Sequence, residues 1–357
     1  MPDSHLKLTK SGNGEKNMAP NQLANLLSAT IPAHLPVLIT GAPGVGKTDV
    51  VTEAAAQAGA ELIISHPVVS DPTDAKGLPW VGADKKSATF LPFGEMKRAL
   101  DAKDLTVWFL DDLGQASPAV QASFMQLILA RRINGHELPK HIVFVAATNR
   151  RTDRAGVAGI LEPVKSRFAS IVQLETNLDD WCQWAIGKQL PVELIAFLRF
   201  RRELLHDFNP SADLTNSPSP RTWHSVAKLL ALNLPADIEL AAFQGAVGEG
   251  PAAEFSAFLR MYRSLPNLDG ILLDPDNASI SDKPNVNWAV STGLASKATE
   301  ANFGRIARYA ERMEKAGHGE FSVLMIRDCM RREPKVCQTA EFVRLASSEV
   351  GKLIIGQ

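Results

Sequence analysis

Residues 41–48 read GAPGVGKT, an uninterrupted GxxxxGKT loop set between the apolar run PVLIT at 36–40 and an Ala-rich stretch of helical composition. No other feature constrains the fold as strongly, because such a loop works only where a strand hands over to a helix. Glycines let successive backbone N–H groups curl around a polyphosphate, the lysine ammonium neutralises its terminal oxygens, and the final hydroxyl suits Mg²⁺. Gly41, Ala42, Pro43, Gly44, Val45, Gly46, Lys47 and Thr48 are therefore the candidate phosphate-binding residues. They imply a nucleoside triphosphate accompanied by Mg²⁺.

At 357 residues the chain exceeds what one hydrophobic core usually holds, so two or three domains are expected. Thirty-eight basic and 39 acidic residues leave a net charge of −1, which gives no bulk attraction to nucleic acid or to an anionic membrane. Cys182, Cys329 and Cys337 fall in no recognised zinc or disulfide spacing, and a reducing cytoplasm fits them best. Residues 1–17 lack an apolar signal-peptide core, and no later apolar run approaches the ~20 residues that span a bilayer.

Residues 1–20 are polar and read as a flexible segment. Short apolar runs at 36–40, 61–65, 105–110, 142–146 and 170–174 then alternate with segments long enough for helices. This is the signature of a five-stranded parallel sheet covered on both faces. Between the second and third runs, residues 68–95 carry three prolines and three glycines at 72, 77, 79, 82, 92 and 94, and read as a long irregular insertion. Beyond 174 the strand signal fades and helical patterns take over, one of them opening on Ser219 as N-cap with Pro220 in its first turn.

The run LTVWFLDD at 105–112 is an apolar strand ending in two acids at the carboxyl edge of the sheet, where open α/β sheets bind ligands. Asp111 is expected to hold the Mg²⁺ shell and Asp112 to polarise an attacking water. A plainer reading makes Asp112 a helix cap. VFVAATN at 143–149 delivers Asn149 to the same edge, where a neutral amide can orient water.

In that order, GAPGVGKT, FLDD, AATN, GVAGILEPVKSRF and SPRT resemble the AAA+ ATPases of the MoxR type over about residues 33–232, and the later AVGEGPAAEFSAFLRMYRSLP is similar to the C-terminal portion of a MoxR-like subgroup. The resemblance implies a P-loop AAA+ α/β domain over 21–176, an α-helical lid over 177–250 and a helical C-terminal region over 251–357. It implies Lys47 and Thr48 as Walker A, Asp111 and Asp112 as Walker B, Asn149 as sensor 1 and Arg221 as sensor 2. Arg167, in SRF, matches the arginine finger that reaches the neighbouring subunit's γ-phosphate, with Arg150, Arg151 and Arg154 as nearby competitors. It further implies ATP as the nucleotide, a hexameric homo-oligomeric ring, and a protein client such as a von Willebrand factor A domain protein.

Two departures stand out. The family usually carries Glu where Asp112 stands, and a shorter acid is expected to slow hydrolysis. GQAS replaces the family's Asn-Arg-Ala after the acidic pair. Residues 77–91 correspond to the family's helix 2 insertion and 133–137 to its pre-sensor 1 hairpin, with Asn134-Gly135 a tight-turn signal on local grounds. Trp80, Val81 and Gly82 resemble the aromatic, hydrophobic, glycine triplet that grips polypeptide in related motors, although a Trp beside Pro more often packs into a local core. Arg199, Arg201 and Arg202, beside Phe197 and Phe200, read as a solvated helix face. A nucleic-acid motor and a nucleotide-gated scaffold with slow hydrolysis remain as alternatives to a protein remodeller.

Overall fold

In the computed structural model, the residues described are 17–82, 84–153, 159–209, 214–265, 267–347 and 351. The chain divides into two compact units, Met1–Glu175 and Thr176–Gln357.

The first unit begins with strand β1 (Asn17–Met18) and helix α1 (Pro20–Thr30), then β2 (Val37–Thr40), α2 (Lys47–Gln57) and β3 (Glu61–Ser65). After these come α3 (Pro72–Lys76), β4 (Leu78–Val81), β5 (Ala88–Leu91), α4 (Gly94–Asp101), β6 (Thr106–Leu110) and α5 (Pro118–Ala130). The unit closes with β7 (Arg132–Ile133), β8 (His136–Glu137), β9 (Ile142–Thr148), α6 (Glu162–Lys165) and β10 (Ser170–Leu174). Six strands form one parallel sheet in the order β1-β10-β2-β9-β6-β3. Five of them are the apolar runs expected from the sequence. The sixth is an addition: Asn17 and Met18, within the segment expected to be flexible, pair with Gln173 and Leu174 at the sheet edge. Residues 1–16 lie outside those described.

Both faces of the sheet are buried, as crossover helices require. Leu38, Trp108, Leu110, Phe144 and Ala146 face a core shared with Val120 and Phe124 of α5 and Val164 of α6. The alternate residues Val37, Ile39, Val107, Phe109, Val143 and Val145 face Leu23 and Leu27 of α1 and Val51 and Ala54 of α2. Burying one such large apolar side chain stabilises by roughly 1.5–3 kcal/mol, which explains why β6 and β9 carry no charged residue. Trp108 stacks on Phe144 with centroids 5.4 Å apart, and its indole N–H donates to Ser65 Oγ at 2.8 Å, so its polar tip is satisfied inside the core.

The 68–95 stretch is more regular than its prolines and glycines suggest. Helix α3 opens on a capping box between Asp71 and Asp74. β4 and β5 form an antiparallel hairpin in which Trp80 pairs with Thr89. A second, smaller hairpin joins β7 to β8 through Asn134 (φ 50°) and Gly135 (φ 86°), both left-handed as a type I′ turn demands. The two hairpins are tied together: Asn134 Nδ2 donates to Lys76 O at 3.0 Å, and His136 Nε2 donates to Phe90 O at 2.6 Å. Trp80 is not packed into a local core; it is 59 % exposed and Val81 is 64 % exposed.

The regular elements described in the second unit are all helices. They comprise α7 (Leu178–Gly187), α8 (Val192–Phe200), α9 (Pro220–Leu230), α10 (Ala236–Val247), α11 (Glu249–Arg263), α12 (Leu268–Leu273), α13 (Pro284–Ser296), α14 (Phe303–Lys315), α15 (Gly319–Arg332) and α16 (Ala340–Ala346). One core gathers Phe197, Trp223, Phe243 and Phe255 from α8 to α11, and another gathers Phe303, Ile306, Met313, Phe321 and Met325 from α14 and α15. Here the solvated-face reading of Arg199 fails. Arg199 is only 4 % exposed, and its two terminal nitrogens clasp the fully buried carboxylate of Asp328 on α15, one of them at 2.9 Å. Arg201 lies at the surface, as the same reading expects, and pairs with Glu203 and Glu254.

Candidate functional site

The loop between β2 and α2 sits at the carboxyl end of the sheet. Helix α2 leaves toward one face, whereas the connection after β9 runs through α6 on the other, so the crevice between β2 and β9 is a topological switch point. Gly44 (φ 77°) and Gly46 (φ 95°) occupy left-handed backbone that a side chain would resist. Gly41 is required for a different reason: a Cβ there would lie 2.9 Å from the Leu174 carbonyl oxygen. Gly46 is the N-cap of α2 and has no side chain to occupy the first N–H groups of that 11-residue helix, so its positive end faces the loop.

Lys47 is almost wholly buried, and its three ammonium protons have three acceptors: Gly41 O and Ala42 O at 3.0 Å each, and Asn149 Oδ1 at 2.7 Å. The next residue, Thr48, donates its hydroxyl to Asp111 Oδ2 at 2.7 Å. Asp111 is buried at the end of β6, and its other oxygen accepts the Asp112 N–H at 3.1 Å. A hydroxyl beside a carboxylate is the hard oxygen donor set that Mg²⁺ takes while keeping most of its water. These two residues fit that ion.

Asp112 is turned sharply out of the strand, at φ 58° and ψ 33°, and its side chain makes no capping bond, which removes the plain helix-cap reading. Its Oδ1 instead accepts Asn149 Nδ2 at 3.2 Å and Gln115 Nε2 at 2.8 Å. Asn149 is thus a bridge, with its carbonyl on Lys47 and its amide N–H on Asp112, and the two opposite charges fix which way the amide points. β9 is brought close to the acidic turn because residue 114 is glycine: a Cβ there would fall 2.1 Å from Thr148 Oγ1. Beside Asn149, a cavity of about 290 Å³ is bordered by Thr40, Thr148, Arg150 and Lys165, so its rim carries two cations.

Lys47, Thr48, Asp111, Asp112 and Asn149 therefore meet at one place. Gln115 joins them although sequence reasoning did not select it; the available signal was a polar residue three positions past the second acid. Arg150 is engaged within its own chain, gripping buried Asp153 through Nε at 3.0 Å and Nη2 at 2.9 Å. Arg154 lies outside the described residues. Arg167 follows α6, with Nη1 donating to Ser166 Oγ at 2.7 Å and Nε without a partner among the described residues. Arg221 belongs to the second unit, exposed in the first turn of α9, whose N-cap Ser219 and Pro220 stand as the sequence predicts. Trp80, Val81 and Gly82 lie on the β4–β5 hairpin and not among the phosphate-loop residues.

The family model described as "ATPase family associated with various cellular activities (AAA)" matches residues 37–176. No curated protein matches the chain. Among solved structures, the Thermotoga maritima RuvB Holliday junction branch migration motor is similar at 14 % identity and a TM-score of 0.36, over 77 % of this chain and 80 % of that one. NtrX from Brucella abortus in complex with ADP is similar at 16 % identity and a TM-score of 0.34, over 68 % and 67 % of the two chains. Likenesses this distant carry no functional argument. No helix among the described residues is long and apolar enough to cross a membrane. The matched span contains the phosphate loop, the acidic turn and Asn149, and residues 37–176 are accordingly an AAA ATPase domain through which this chain binds and hydrolyses ATP.

Proposed function

We propose that the chain is a MoxR-type AAA+ motor that works as a homo-oligomeric ring, hexameric by resemblance, and remodels a protein partner. The observation that carries the hydrolytic part is the continuous chain Lys47–Asn149–Asp112 beside the Thr48–Asp111 pair. In this reading the loop N–H groups and Lys47 bind the β and γ phosphates, and Lys47 exchanges its Asn149 contact for a phosphate oxygen. Thr48 and Asp111 would hold Mg²⁺, which when bound would neutralise charge on the phosphates. Asp112 takes the proton of the attacking water and Asn149 orients that water. Arg167 acts on the neighbouring protomer's nucleotide; among the described residues its side chain forms no ion pair, whereas Arg150 already holds Asp153. Arg221 serves as the sensor of the helical lid.

The client class rests on the two tied hairpins, whose exposed Trp80 and Val81 offer apolar grip to an extended polypeptide, and a von Willebrand factor A domain protein is the partner that the resemblance names. A general AAA+ motor acting on nucleic acid is the competing reading. It needs a groove rich in cations to track phosphates, and the net charge of −1 does not favour it. A nucleotide-gated scaffold is the third, and rests on the short acid Asp112. Steady-state ATPase assays with an unfolded polypeptide and with single-stranded DNA separate them. We expect stimulation by polypeptide that Trp80→Ala abolishes without changing the basal rate. Stimulation by DNA alone would overturn the protein-remodelling reading, and a basal rate below one turnover per hour would favour the scaffold.

A further inference from the structure

Gln115 ends the tight turn that follows Asp112, and the hydrolytic reading above gives it no task. Its Nε2 donates to Asp112 Oδ1 at 2.8 Å, the same oxygen that Asn149 reaches at 3.2 Å. An ionised carboxylate only accepts hydrogen bonds, so the amide must present its NH₂ to Asp112. Among the described residues, Asp112 Oδ2 accepts no hydrogen bond, and Gln115 Oε1 is buried without a donor. The two oxygens of Asp112 are therefore not equivalent: two amides saturate one and leave the other open.

An aspartate on flexible backbone would sample several directions, and a carboxylate free to rotate about its last torsion would exchange its oxygens. Neither freedom survives here. The left-handed backbone of Asp112 fixes the direction of its Cβ, and two converging N–H donors fix the rotation of the carboxylate. We infer that Gln115 is a positioning residue for hydrolysis, which together with Asn149 pins Asp112 Oδ1 so that Oδ2 faces the attacking water. The inference rests on Asp112 being the water-polarising group. It also gives the short acid a compensation, since a side chain lacking one methylene is held from two sides.

The test uses the full chain, with steady-state ATPase, binding of a fluorescent ATP analogue and thermal melting measured on the same variants. Gln115→Met keeps the length of the side chain and removes the N–H; Gln115→Glu keeps its shape and replaces the donor with an acceptor. Both are expected to lower kcat about tenfold or more, with analogue Kd and ATP KM held within about twofold. In the Asp112→Asn background, Gln115→Met is expected to cause no further loss, because the two residues act as one unit. Wild-type kcat in both Gln115 variants, a loss confined to Kd or to melting temperature, or full additivity with Asp112→Asn would overturn the assignment. If Asp112→Asn alone keeps full turnover, the failure belongs to the reading of Asp112, whatever Gln115→Met does.

Discussion

Lys47 and Asn149 stand 102 residues apart in the chain and meet through a 2.7 Å hydrogen bond from Nζ to Oδ1. The contact joins the start of α2 to the end of β9 and spans the crevice between β2 and β9. Because the ammonium is buried among two backbone carbonyls and one amide, its charge is held in place before any phosphate arrives. Lys47→Ala removes that charge and leaves Gly41 O, Ala42 O and Asn149 Oδ1 without their donor. Affinity for a fluorescent ATP analogue is expected to fall at least about tenfold, and turnover to vanish, with the fold retained by circular dichroism.

Asp112→Asn preserves the left-handed backbone, since Asn adopts φ near 58° about as readily as Asp. The expected result is near-complete loss of turnover, by ~10² or more, with nucleotide still bound. Asp112→Glu tests the length of the acid. A longer side chain must fit the same backbone and the same two amide donors, so Asp112→Glu is expected to lower stability by about 1 kcal/mol in denaturant titration.

Mixing Arg167→Ala subunits with Lys47→Ala subunits tests completion of the site by a neighbour. Each variant alone is expected to be inactive, and mixtures should recover part of the wild-type rate, because some interfaces then pair an intact loop with an intact arginine. Absence of recovery at every ratio would assign Arg167 to its own protomer or to no catalytic task. Arginine fingers supply ~10³ to 10⁵ in related phosphoryl transfers, so recovery of even a small fraction is measurable.

Asp328→Ala leaves the Arg199 guanidinium buried with no counter-charge. Breaking a buried pair from one side costs about 3–5 kcal/mol, far above the 0–1 kcal/mol of exposed pairs such as Lys97–Asp101. Denaturant unfolding should show the loss in the helical unit. Replacing both partners with apolar residues, as in Arg199→Met with Asp328→Leu, is expected to restore most of it.

The buried thiol of Cys182 provides a pH-dependent check. Burial pushes it up to about 11, and the nearby Arg199 offsets this only in part. Below pH of about 9 the thiol is protonated in folded and unfolded chains alike and contributes no slope. Between about 9 and 11 the unfolded chain releases its proton first, so stability falls as pH rises through that window. Cys182→Ala should flatten that slope in denaturation measured against pH. Under native conditions Cys337, only partly buried, should alkylate well before buried Cys182 and Cys329.

Much of the first unit was legible in the sequence because its signals are local. The apolar runs of β3, β6, β9 and β10 are too short and too continuous to be helices, and the phosphate loop dictates what flanks it. Asn134-Gly135 and Ser219-Pro220 declared their turn and cap through backbone preferences that act within a few residues. What stayed hidden depends on distance along the chain. Asn17 and Met18 carry no strand signal and pair only because β10 offers an edge. Arg199 sits in a basic cluster that periodicity assigns to solvent, yet it faces a carboxylate 129 residues further on. Prolines and glycines at 72–94 suggested irregularity, whereas they bound a short helix and a hairpin. In the site itself, residue types at the strand ends announced Lys47, Thr48, Asp111, Asp112 and Asn149. Gln115 was missed because a Gln in a turn is ordinary until its amide is seen on Asp112.

The Arg199–Asp328 clasp also decides how the helical half of the chain can be dissected for experiment. A fragment that includes α8 and stops before α15 keeps a guanidinium inside an oily cluster without the carboxylate that neutralises it, so such shortened expression products should be insoluble or molten even when their own helices are intact. Workable boundaries leave α7 through α15 on one polypeptide.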